Sequence, residues 1–84
     1  MSIEYGNLFS FDPQAPIYAQ LERAVRIFER KHNEKPDLLL IHPDNVGDMK
    51  GVITSDAFTL EVMPDNRQSR RAIELAVWGK KDGD

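Results

Sequence analysis

Apolar residues follow three patterns along the chain. The first is helical. From Pro16 to about His32, Ile17, Leu21, Ala24, Val25 and Phe28 recur at three- and four-residue steps. That spacing puts them on one stripe of a helix. Gln20, Glu22, Arg23, Arg26, Glu29, Arg30 and Lys31 take most of the other positions. Glu22 stands one turn before Arg26, the favourable order for a helical ion pair. Asp12-Pro13 and Ala15-Pro16 are entry chemistry, because a proline in the first turn loses no needed hydrogen bond. Basic residues crowd the last turn, where the helix dipole favours them. Asn33 suits a left-handed exit, and Pro36 bars continuation.

The second pattern is an unbroken run, Leu38 to Ile41. Four apolar residues in a row predict a central strand buried on both faces. "HPDNVGDMKG" follows, with room for one short helical turn starting at Pro43. Gly51 then releases the chain into a strand at Val52, Ile53 and Thr54.

The third pattern is alternation. Phe58, Leu60 and Val62 alternate with Thr59, Glu61 and Met63, and the stretch from Ala72 to Trp78 alternates again. This predicts an antiparallel hairpin with a long polar loop, Pro64 to Arg71. Its simplest register pairs Met63 with Ala72 and Glu61 with Glu74. Two carboxylates would then stand opposite each other, which is unfavourable. Near the start, Ile3, Tyr5, Leu8, Phe9 and Phe11 are interrupted by Gly6 and Asn7, which reads as a short or broken strand. If it pairs with the Leu38–Ile41 strand, residues 3 to 42 form a crossover unit with parallel strands.

These elements give an α+β fold in the order β-α-β-β-β. One long amphipathic helix packs on a mixed, mostly antiparallel sheet of four to five strands that ends in the C-terminal hairpin. Residues 1–79 are expected to form one small domain and 80–84 a frayed tail.

Composition adds a stability argument. A chain of 84 residues buries only ~60–65% of its unfolded surface, a thin margin. It has no cysteine, so neither disulfides nor thiolate zinc can reinforce it. Small unstapled domains recover stability by pairing with a copy, so a homodimer is expected. Eleven basic and fourteen acidic residues leave a net charge of −3, with no bulk pull toward nucleic acid. No apolar run is long enough to span a bilayer. The first residues lack the basic and apolar regions of a signal peptide. The expected location is cytoplasmic, with no membrane partner.

Four groups of residues are candidates for chemistry or contact. His42, with Asp44 and Asp48, follows the central strand, where sites collect in sheets with parallel strands. Imidazole and carboxylates could bind a divalent metal or exchange protons, but the spacing matches no zinc or calcium pattern. Glu61 and Glu74 could divide acid and base roles or share a metal. Otherwise they are solvated glutamates on an open sheet face. Arg67, Arg70 and Arg71 on the polar loop could contact phosphate or nucleic acid, although no aromatic residue lies within the loop to stack a base. Met63, Ala72, Ala76 and Trp78 fall on the face opposite Ile73, Leu75 and Val77, and form the interface candidate. No nucleophile elbow, phosphate loop or two-histidine metal motif is present.

Across residues 37 to 79, the order strand, "HPD", turn, glycine and hairpin resembles segments of phage structural proteins. The resemblance carries over no functional residue.

The expected function is therefore a small non-enzymatic protein–protein interaction module that self-associates, with no cofactor. The alternatives are a nucleic-acid or phosphate-binding accessory protein using the arginine loop, and a small metal-assisted hydrolase built on His42 and Asp44 or on Glu61 and Glu74.

Overall fold

The computed structural model describes residues 3–49 and 51–78, and side chains at 6–49 and 51–77. The amphipathic stripe builds one helix, α1 (Ile17–His32), which buries Leu21, Ala24, Val25 and Phe28. Its entry is held by a glutamine. Gln20 Oε1 accepts from the Asp12 N–H, and Gln20 Nε2 donates to the Asp12 carbonyl, both at 2.8 Å. Its exit is Asn33 at φ 56°, whose N–H donates to the Glu29 carbonyl. A short polar side chain tolerates that left-handed backbone better than most.

Five strands form one sheet. They are β1 (Ile3–Ser10), β2 (Leu38–Ile41), β3 (Val52–Thr54), β4 (Thr59–Pro64) and β5 (Ala72–Trp78). Their spatial order is β1-β5-β2-β4-β3. The β2–β4 pair is parallel, and β1–β5, β2–β5 and β3–β4 are antiparallel. This is the expected α+β architecture, one helix on a mixed five-stranded sheet.

The hairpin expected between β4 and β5 does not form, because β2 lies between them. β2 is apolar on both faces and takes the centre, with Leu39 level with Val62 on one side and Leu75 on the other. Glu61 and Glu74 are therefore not opposed across a ladder. β1 and β2 do not pair either. β5 fills the slot between them and runs antiparallel to both, so the crossover strands are parallel but separated. β1 is also not broken at Gly6 and Asn7. It continues to Ser10, with one irregularity between Ile3 and Tyr5. The tail expected at 80–84 and the Trp78 side chain lie outside what is described.

Burial follows the pleat. Toward the helix, Leu39, Ile41, Ile53, Leu60, Val62, Ile73, Leu75 and Val77 pack with Leu21, Ala24, Val25, Phe28 and Phe11. On the other face, Leu38, Leu40 and Ala76 form a smaller buried cluster with Met63 against it. Two large apolar residues described on this helix-free face are open to solvent: Leu8 at 66% and Val52 at 61% exposure. Among the described residues no helix is long and apolar enough to cross a membrane.

Candidate functional site

The β4–β5 link, residues 65 to 71, must carry the chain from one side of β2 to the other. It passes over the carboxyl end of β2. That end of a parallel strand pair is where sites collect, and here the chain's own loop fills it. The Asp65 N–H donates to the Ile41 carbonyl at 2.9 Å. Asn45 Nδ2 donates to the Arg70 carbonyl at 2.8 Å, and Arg70 Nε donates to Asp44 Oδ2 at 2.8 Å. The turn at Pro43–Asn45 and the arginine loop are thus pinned together.

His42 precedes that turn. Its Nδ1 accepts from the Asp44 N–H at 3.0 Å, so the ring hydrogen sits on Nε2 when the imidazole is neutral. The imidazole is 13% exposed, and Asp44 Oδ2 lies 3.8 Å from Nδ1. The Asp44 carboxylate is instead held by Arg70. His42 caps the turn, and the Asp44 carboxylate ties that turn to the arginine loop. Among the described residues no three His, Cys, Asp or Glu side chains converge to hold a metal ion.

Two of the loop arginines are engaged by the chain itself. Arg70 has Asp44, and Arg67 Nε donates to Asp65 Oδ1 at 3.1 Å. The hydrogen bond from Arg67 is the main reason the Asp65 carboxyl titrates below the ordinary carboxylate range, helped by the Arg67 N–H on the same oxygen. The same bond holds the Arg67 guanidinium above its ordinary value. Arg71 points elsewhere. It lines a groove with Arg23 and Gln20 of the helix and Ser10 of β1.

Glu61 and Glu74 share the helix-free face without sharing a site. Glu61 is level with Leu38 and Glu74 with Leu40 of the intervening β2. Two strand spacings and a two-residue offset set their backbones roughly 12 Å apart. Glu74 Oε1 accepts from Gln68 Nε2 at 3.1 Å.

Of the interface candidates, Met63 and Ala72 are half-buried on the helix-free face. Ala76 is fully buried within the chain, so it supports that face from beneath. Leu8 and Val52 were not singled out from the sequence, yet they are its exposed apolar positions. The alternation signalled a face for each strand, but only the strand order brings the two into one surface. Comparison with family models, with curated proteins and with solved structures found no match to this chain.

Proposed function

We propose that the chain is a non-enzymatic interaction module that pairs with a second copy of itself through the helix-free face of its sheet. The observation that supports this is the pair of exposed apolar residues Leu8 and Val52 on that face. The helix packs on one face only, and exposed apolar side chains on the other are ordinary interface material. Against the hydrolase and nucleic-acid readings, His42 caps a turn, Glu74 accepts from Gln68, and Arg67 and Arg70 already hold acids of the same chain. Cytoplasmic work is part of the proposal, since a cysteine-free chain gains nothing from an oxidising compartment.

Light scattering and sedimentation across the micromolar range test the pairing. The wild-type chain is expected at twice its monomer mass, and Val52→Lys or Leu8→Lys is expected to shift it to monomer. A wild-type monomer throughout that range removes the proposal.

A further inference from the structure

The outer edge of β1 and the flank of α1 above it form a second surface, on the other side of the sheet from Leu8 and Val52. β1 is the last strand in the sheet order on its side. The Phe11 N–H donates to the Arg71 carbonyl at 2.8 Å, so odd-numbered residues of β1 bond to β5. By the alternation of an antiparallel ladder, the amides and carbonyls of Gly6, Leu8 and Ser10 face outward. From Gly6 to Ser10 this edge has no proline, no charged side chain and no bulge, the devices that normally blunt an edge. β3, at the opposite edge, is only three residues long.

A groove of about 220 Å³ lies between this edge and the helix, lined by Phe9, Ser10, Gln20, Arg23, Ala24 and Ile27. Ile27 is 44% exposed, an apolar side chain on the solvent-facing side of the helix. One turn before it stands Arg23, and one turn after it stand Arg30 and Lys31. The groove continues past Asp12 to Arg71. Asp12 is the one acid lining it, and its Oδ1 is used by the Gln14 N–H. No ion pair of Arg23 or Arg71 is found among the described residues.

We infer that this groove takes an extended peptide segment of a protein partner, added as a strand to β1, with an apolar side chain flanked by acids in alternation. The spacings agree. Residues four apart on a helix rise ~6 Å, and residues two apart on a strand span ~6.6–6.8 Å. Successive helix-facing side chains of the added strand therefore meet Arg23, Ile27 and the Arg30–Lys31 turn in order. Backbone bonds to Gly6, Leu8 and Ser10 supply the pairing, and the helix flank reads acid, apolar, acid. A second copy of β1 fits this edge poorly. Its helix-facing residues Asn7 and Phe9 bring no acid to Arg23.

The test uses the full chain and a labelled peptide, acetyl-Thr-Asp-Thr-Leu-Thr-Glu-Thr-amide. Controls are a scrambled peptide with its acids adjacent and a single-stranded oligonucleotide. Anisotropy is expected to show saturable binding of the alternating peptide and about tenfold weaker binding of the scrambled one. Amide exchange at Gly6, Leu8 and Ser10 is expected to slow in the complex. Arg23→Glu and Ile27→Asp, both at solvent-facing helix positions, are each expected to weaken binding about tenfold or more while far-UV dichroism is unchanged. The inference is overturned by no binding, by equal binding of the scrambled peptide, by unchanged exchange at those amides, or by the oligonucleotide displacing the peptide. The exchange readout locates the peptide at β1 whether or not the chain pairs with itself, so the two proposals fail separately.

Discussion

The Glu74 carboxylate occupies the space where a Cβ on Gly6 would stand. β5 residue 76 is level with Gly6, so Glu74 leans diagonally across the ladder to reach it. A glycine in the middle of a strand ordinarily weakens it. Here it makes room for the acid that Gln68 holds from the loop. Gly6→Ala should recover ~0.4–1 kcal/mol of chain entropy but displace Glu74 and forfeit a bond worth ~0.5–1.5 kcal/mol. The single substitution is therefore expected to be neutral or slightly destabilising. In a Glu74→Ala background it is expected to stabilise. Urea titrations of the four proteins give the coupling, and strict additivity would show that the two residues do not compete for space.

Among the described residues Phe28 is the largest fully buried side chain, and it sits on α1. Phe28→Ala is expected to cost ~3–5 kcal/mol, a large share of the ~5–15 kcal/mol that holds a typical domain together. Its neighbour Ile27 faces solvent, and Ile27→Ala is expected to change stability by less than ~0.5 kcal/mol. Thermal and urea unfolding measure both.

Asp65 carries a pH dependence whose sign is fixed. Its carboxyl is lowered in the folded chain, mainly by the Arg67 hydrogen bond. The stabilisation is present above the unfolded-chain value of ~3.9 and is lost as pH falls through the lower folded value. Carboxyl-carbon NMR should show Asp65 titrating at a lower pH than an ordinary aspartate. Arg67→Ala should move that midpoint upward, though not fully, because the residue 67 N–H still donates to Oδ1. An unmoved midpoint would assign the shift to something other than the guanidinium.

Asn33 ends α1 in the left-handed region. Asn33→Ala is expected to cost ~1 kcal/mol, because alanine keeps the crowding Cβ but lacks the short polar side chain that offsets it in the left-handed region. Asn33→Gly is expected to be neutral or stabilising. Helix content and melting temperature of the two variants separate them.

The local elements were legible in the sequence because their causes are local. Apolar residues at Ile17, Leu21, Val25 and Phe28 need only helical geometry, and the Asn33 exit needs only its own backbone preference. The run Leu38–Ile41 announced burial on both faces, and it has that burial. The strand order was not legible. Alternation in β4 and β5 reports which face each residue takes, not which strand lies beside it. Pairing sequence neighbours in space creates a conflict, with Glu61 opposite Glu74. Insertion of β2 between their strands removes that repulsion. The like charges were thus a physical sign against the hairpin. The candidate site shared this fate. His42, Asp44 and Arg70 do come together, but the contact depends on where the 65–71 link crosses, and that follows from the strand order.

The position of β5 also bears on how the protein is made. Among the described residues it is the last strand in chain order, yet it occupies an interior place, with β1 on one side and β2 on the other. Until it emerges from the ribosome, β1 has no partner and β2 keeps an open flank. Non-local pairing of this kind is slow and leaves unpaired edges exposed. The same vacancy makes the chain divisible. A fragment cut within the 65–71 link should retain a slot shaped for β5, and a separate peptide carrying Ala72–Trp78 should enter it and restore the fold in trans.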